Sequence, residues 1–142
     1  MKNKVIFLSL VFISVIILNN MDYLNSPNAD RLSKIKVISV IELNNINQEK
    51  NNDNILLDVR TEEEFNLGHI PNAINISHDL LLNNLSPLNE YKEKNIYVYC
   101  RSGVRASLII NELLSNEFNN IIDVEGDFLS WVNAKLPIEI PK

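Results

Sequence analysis

Cys100 is the one cysteine of the 142-residue chain, and Arg101-Ser102-Gly103-Val104-Arg105 follow it directly. A cysteine flanked by two arginines and a turn-permitting glycine can act as a nucleophile beside an anion-binding loop. Ile96-Tyr97-Val98-Tyr99, just before it, reads as a strand. Ala106, Ile109, Ile110, Leu113 and Leu114, just after it, fall at helical spacing and form one apolar stripe. The cysteine therefore stands on a tight strand-to-helix loop. Such a loop turns several backbone N–H groups inward, and the helix N-terminus adds partial positive charge. Both favour negative charge on the sulfur and an anion beside it. An isolated free cysteine is commonly an inert, buried core residue. The Arg-Ser-Gly-Val-Arg run argues for the reactive alternative here.

The elements that must position this loop alternate between strand and helix. Ile35 to Ile38 reads as a strand, and Ser39-Val40-Ile41-Glu42 as a capping box that opens a helix to about Gln48. Ile55-Leu56-Leu57 is a continuous apolar run, as expected for a strand buried on both faces. Thr61-Glu62-Glu63-Glu64 is a second capping box, opening a short helix that Gly68 can end. Ala73 to Ile76 is a short strand. Ser77 caps a helix over Asp79 to Leu85, and Ser86-Pro87 begins a further turn. Ile121-Ile122-Asp123-Val124 is a last strand and Phe128 to Val132 a last short helix. This alternation implies an α/β fold, a mainly parallel central sheet with helices on both faces. Ligands of such sheets gather at the carboxyl ends of the strands, where the Cys100 loop lies.

Composition narrows the function. Hydrophobic residues make up 46% and charged residues 22%, the mix of a packed globular protein. A formal net charge of −5 argues against a general nucleic-acid binder, which needs a basic face. One cysteine excludes an internal disulfide and a cysteine-rich zinc site, and His69 and His78 are too few for a metal cluster. Lys2 and Lys4 precede the uncharged, apolar stretch Val5 to Leu18. That length suits a signal-peptide core better than a spanning helix of about 20 residues. A clear small-x-small cleavage site is missing, Ala29 being the best small residue nearby. Residues 1–29 therefore read as a signal peptide or an uncleaved membrane anchor (residues 5–18) with its linker; a buried core helix is the plainer alternative. Residues 30–142 read as a single domain, exported to the periplasm or another extracytoplasmic space. It touches a membrane only if the segment is uncleaved.

The motifs resemble those of the rhodanese (thiosulfate sulfurtransferase) family in its single-domain exported form. Cys100-Arg101-Ser102-Gly103-Val104-Arg105 resembles the family's six-residue active-site loop. Leu57-Asp58-Val59-Arg60 with Glu63-Glu64-Phe65 resembles a first signature. Gly68-His69-Ile70-Pro71-Asn72-Ala73-Ile74-Asn75-Ile76 resembles a second. Val124-Glu125-Gly126-Asp127-Phe128 with Trp131 resembles the closing motif. The likeness runs from about Ile35 to Ile140 and includes all 3 glycines of the chain. Two positions depart from the pattern. The family usually has two glycines where this chain has Glu125-Gly126, and often a glycine where it has Glu117. Both turns are expected to lie away from the cysteine.

The resemblance implies sulfur transfer. Cys100 would take the outer sulfur of thiosulfate as a persulfide, held by the N–H groups from Arg101 to Arg105, and pass it to cyanide or a thiol. Arg101 and Arg105 would orient the sulfonate end of this small anionic donor. No metal or organic cofactor is implied. Asp58 and Arg60 would give structural support. Asp58 would end a buried strand and bond to loop backbone, and Arg60 would pair with Glu63 or Glu64. His69 would be a hydrogen-bonded structural residue, Trp131 and Phe128 core, and His78 exposed. A monomer is expected. Two rivals remain. A phosphatase or arsenate reductase also uses a cysteine loop, but phosphatases place five residues between Cys and Arg, where four separate Cys100 from Arg105. A sulfur carrier or interaction module with little turnover of its own is the second.

Overall fold

The computed structural model describes residues 35–49 and 51–141. The export or anchor reading of residues 1–29 lies outside these. Among the described residues, no helix is long and apolar enough to cross a membrane.

Five parallel strands form one sheet in the order β1–β5–β4–β2–β3. They are β1 (Lys36–Ser39), β2 (Asn54–Asp58), β3 (Ile74–Asn75), β4 (Asn95–Tyr99) and β5 (Ile121–Glu125). The helices are α1 (Val40–Gln48), α2 (Glu62–Asn66), α3 (His78–Asn83), α4 (Val104–Ser115) and α5 (Asp127–Asn133), with a 3-10 turn at Ser86–Tyr91. The expected alternation is present, with boundaries moved by a residue or two and the third strand cut to two residues.

The sheet core follows from period-two alternation. Leu56, Tyr97, Tyr99, Ile122 and Val124 meet Leu43 of α1 and Trp131 of α5 in one cluster. The intervening Leu57, Ile96 and Val98 are also buried, which explains the continuous apolar runs. The α4 stripe of Ala106, Ile109, Ile110, Leu113 and Leu114 is buried throughout. α1 packs with α5, and α3 with α4, giving the helices their two layers.

Local chemistry sets the helix ends. Thr61 Oγ1 accepts the Glu64 N–H at 3.3 Å while Glu64 Oε2 accepts the Thr61 N–H at 3.1 Å, a complete capping box. Ser39 Oγ accepts the Glu42 N–H at 3.2 Å. Ser77, in contrast, makes no such bond to the α3 backbone. A C-terminal strap then closes the α2–β3 loop. His69 and Glu139 exchange two backbone hydrogen bonds, each 2.9 Å, and Trp131 Nε1 donates to the Pro137 carbonyl at 2.8 Å.

The turn from β5 into α5 starts after Glu125, the last residue of β5. The two consecutive left-handed residues are Gly126 (φ 74°) and Asp127 (φ 55°). Glu117 also takes a left-handed conformation, φ 66°. At Gly126 a Cβ would overlap Ser130 Oγ and come within 2.7 Å of Ser130 Cβ. We expect Gly126→Ala to lower stability by about 1–3 kcal/mol from backbone strain, with the clash adding to it. A lowered urea midpoint at unchanged slope would register this, and an unchanged midpoint would refute it.

Candidate active site

Parallel pairing brings the carboxyl ends of β2 and β4 together, with Asp58 opposite Tyr99. The Val59 N–H donates to the Tyr99 carbonyl at 3.0 Å, which extends the ladder one step. Cys100 is the next residue. It is 1% exposed, at the root of the loop that runs into α4.

The loop folds back over its own sulfur. The Gly103 N–H donates to Cys100 Sγ at 3.2 Å. This requires Gly103 at φ 96°, a conformation that side chains resist. Val104 and Arg105 open α4, where first-turn N–H groups have no acceptor within the helix. Among the described residues, no backbone carbonyl accepts from Arg101 or Ser102. Arg101, Ser102 and Val104 are exposed, so the loop is reachable from solvent although the sulfur is recessed.

The first turn of α5 pins the loop from behind. Asp127 Oδ1 accepts the Cys100 N–H at 2.6 Å. The Phe128 N–H donates to the Cys100 carbonyl at 3.2 Å and the Leu129 N–H to the Arg101 carbonyl at 3.1 Å. The turn holding Gly126-Asp127 thus lies against the cysteine, contrary to the expected separation.

Two ion pairs frame the site. Arg105 forks onto Glu64, with Nη1 donating to Oε2 at 2.5 Å and Nη2 to Oε1 at 2.9 Å. Arg105 also faces the Cys100 side chain; chiefly through Glu64, its pKa is raised. Glu64 is lowered to about 2, first by the Arg105 hydrogen bond. The second pair corrects the expected partner of Arg60, which binds Asp58 rather than Glu63 or Glu64. Arg60 Nη2 donates to Asp58 Oδ2 at 2.6 Å and to the Gly68 carbonyl at 2.9 Å. Asp58 Oδ1 also accepts the Arg60 backbone N–H at 2.9 Å. Burial opposes the Arg60 charge, but Asp58 outweighs it and the pKa is raised. The guanidinium also lies 3.9 Å from the centre of the Phe128 ring.

The depressed Glu64 pKa makes an acid-stability prediction. Its contribution is fully present above the ordinary value of 4.5 and is lost as the pH falls through about 2. Glu64→Gln is expected to flatten the stability curve across that window, as read by urea denaturation at stepped pH. An unchanged curve would show that solvent screening leaves this half-exposed pair without weight.

The remaining residues fall around this frame. His69 is 5% exposed, lies 3.1 Å through Nδ1 from the Phe65 carbonyl and stacks on the Phe65 ring. Trp131 is fully buried, while Phe128 is half-buried against Arg60. His78 is half-buried rather than exposed, and its buried Nδ1 has no hydrogen-bond partner. Asp127 escaped the sequence reading. Its signal was an acidic residue in the first turn of α5, directly after a glycine.

A cleft of about 290 Å³ adjoins the loop, lined by Arg60, Glu64, Arg101, Phe128 and Leu129 among others. A larger cavity, about 520 Å³, lies at the opposite ends of the strands against Asn54, Ile55 and Lys94. The candidate site is thus chosen by the cysteine loop and not by cavity size. Among the described residues, no three His, Cys, Asp or Glu side chains are grouped to hold a metal.

A parallel α/β sheet with a cysteine on an N–H-lined loop at its carboxyl edge defines a class of cysteine-loop domains. Within that class, the chain belongs to the rhodanese-like domain family, whose model matches residues 39–134. A rhodanese-like domain protein from Staphylococcus aureus is 33% identical, with a TM-score of 0.65, over 76% of this chain and 100% of that one. A rhodanese-related protein from Thermoplasma volcanium is 30% identical, with a TM-score of 0.63, over 75% and 99%. Among curated proteins, the adenylyltransferase and sulfurtransferase UBA4 of Meyerozyma guilliermondii is 33% identical over 70% of this chain and 24% of its own length. The tRNA uridine(34) hydroxylase of Wigglesworthia glossinidia brevipalpis is 36% identical over 58% and 27%. The chain thus spans about a quarter of these two curated relatives.

Proposed function

We propose that this domain is a sulfurtransferase that moves the sulfane sulfur of thiosulfate to cyanide or a thiol through a Cys100 persulfide. One observation carries the reading: a recessed Cys100 sulfur that already receives the Gly103 N–H at 3.2 Å. The neighbouring Arg101 and Ser102 N–H groups are unclaimed by backbone carbonyls among the described residues. A persulfide on Cys100 extends the side chain by one sulfur into this N–H-lined space. The family and a relative named as a sulfurtransferase support the same chemistry.

In the loading step the Cys100 sulfur attacks the outer sulfur of thiosulfate. A new S–S bond forms, the old one breaks, and its electron pair leaves with sulfite. The acceptor then attacks the outer persulfide sulfur and returns Cys100. Arg101, exposed on the loop and in no ion pair among the described residues, can meet the donor's sulfonate, while Arg105, held by Glu64, stands beside the reacting sulfur. No cofactor enters either step. The N-terminal segment supports a place of action outside the cytoplasm.

A second reading has an observation of its own. Leu67, 82% exposed, joins Leu129 and Val132 around the cleft, an apolar rim suited to a protein surface. It favours a sulfur carrier loaded by a protein donor. The deciding experiment offers the full chain thiosulfate alone, then thiosulfate with cyanide. One added sulfur by intact mass and thiocyanate production are the expected results. A folded protein that gains no sulfur would overturn the thiosulfate reading and leave the carrier in its place.

A further inference from the structure

Asp127 is a residue the sulfur-transfer scheme leaves unused. Its backbone is left-handed at φ 55°, a conformation uncommon for residues other than glycine. It is 3% exposed. Its carboxylate lies under the active-site loop, with Oδ1 accepting the Cys100 N–H at 2.6 Å. Oδ2 is 3.2 Å from where a Cβ on Gly103 would stand. Gly103 is also the residue whose N–H reaches Cys100 Sγ at 3.2 Å, so the carboxylate and the sulfur flank the same glycine. The other two carboxylates at the site have cationic partners, Asp58 with Arg60 and Glu64 with Arg105. Among the described residues Asp127 has no salt-bridge partner, and Asp123 of β5 and Asp58 of β2 add like charge around it. Arg105 of α4 faces Cys100 from another side.

Cys100 is 1% exposed, so a thiol proton leaving its sulfur has little direct access to water. We propose that the Asp127 carboxylate accepts the Cys100 thiol proton as sulfur is loaded and returns it when the cysteine is regenerated. This rests on Cys100 being the sulfur-bearing residue. In loading, Cys100–SH, ionised Asp127 and thiosulfate give the Cys100 persulfide anion, neutral Asp127 and sulfite. The proton passes from sulfur to carboxylate, and the donor's S–S electron pair leaves with sulfite. In unloading, cyanide takes the outer sulfur as thiocyanate, and the Cys100 sulfur recovers the proton from Asp127. Atoms and charge balance in both halves. Burial raises the Asp127 pKa, opposed by the Cys100 N–H bond and reinforced by Asp123, which suits a group that must hold a proton in mid-cycle.

The test separates proton transfer from shape. Asparagine tolerates the left-handed backbone and keeps an oxygen for the Cys100 N–H; glycine keeps only the backbone. Wild type, Asp127→Asn and Asp127→Gly are prepared as the full chain and checked for cooperative unfolding. Sulfur loading is then timed by intact mass from about pH 5 to about pH 9, with thiosulfate and with inorganic polysulfide as donors. We expect both variants to load about 100-fold more slowly at neutral pH with either donor. We also expect the wild-type rate to fall in acid as Asp127 protonates, and both variants to show a pH profile of different shape because that carboxylate is gone. Asp127→Asn at the wild-type rate, with the acid limb kept, would overturn the proposal and leave a purely structural residue. If polysulfide loads the wild type and thiosulfate does not, the thiosulfate reading falls while the polysulfide rates still decide Asp127. If neither loads a folded wild type, both readings fall.

Discussion

Cys100→Ser is expected to abolish sulfur loading and thiocyanate production while leaving the fold intact. Removing a covalent nucleophile can cost on the order of a millionfold in rate, because the weaker group left in its place opens no equivalent path. The structure explains why the fold should survive. Cys100 sits at 1% exposure in a space of fixed size, and serine is slightly smaller. Its hydroxyl can accept the Gly103 N–H that the thiol sulfur now accepts at 3.2 Å. The backbone bonds to Asp127, Phe128 and Leu129 do not involve the side chain. Urea unfolding should therefore differ from wild type by no more than about 1–2 kcal/mol. Intact mass after exposure to thiosulfate should show the bare variant. Retained activity in Cys100→Ser would remove the persulfide from the mechanism.

How far the site was legible depends on whether its contacts are local. The strands showed themselves because all-parallel sheets bury both faces, so Ile55-Leu56-Leu57 and Ile96 to Tyr99 read as unbroken apolar runs. The Thr61–Glu64 capping box closes over three residues and was visible for that reason. The Cys100 loop announced itself through its charge and its glycine. Partner choice was another matter. Glu64 meets Arg105 across 41 residues of sequence, a contact created only when α2 and the start of α4 converge. Arg60 has acids on both sides in sequence, Glu63 and Glu64 downstream and Asp58 two residues upstream on the end of β2. In the fold, Asp58 takes the guanidinium because both groups are buried there. Asp127 shows locally only as an acidic residue after a glycine, because its contact with the Cys100 N–H spans 27 residues of sequence. His78 is half-buried where the chain leaves β3 and its backbone N–H donates to the Val59 carbonyl, a contact across 19 residues that sequence spacing does not reveal.

The charges at the strand ends are arranged so that a single buried cation holds several segments in place. Arg60 continues from the end of β2, binds Asp58, reaches the Gly68 carbonyl and covers the Phe128 ring. Phe128 in turn donates its N–H to the Cys100 carbonyl. Gly68 is next to His69, which the C-terminal strap secures through Glu139. A local ion pair thereby sets the wall of the cleft and one support of the cysteine loop.

Asp58→Ala should consequently be the most destabilising single change at this site. Arg60 and Asp58 side chains are 4% and 0% exposed, so removing the carboxylate strands a guanidinium with the Gly68 carbonyl and an aromatic face as its main company. Breaking a buried pair in this way costs about 3–5 kcal/mol, most of it the uncompensated charge rather than the lost attraction. For a domain of this size that lowers Tm by well over about 10 °C. The same argument predicts a rescue. Asp58→Ala combined with Arg60→Met removes the charge as well as its partner, and should recover most of the loss, because apolar replacement of a buried pair is often neutral or better. Sulfur loading should not recover in parallel, since the double variant still lacks the bridge from β2 to Gly68 and Phe128. Thermal and urea unfolding of the two single variants and the double variant supply the cycle. Equal losses in the single and double variants would mean that packing around Asp58, not the stranded Arg60 charge, sets the stability of this strand end.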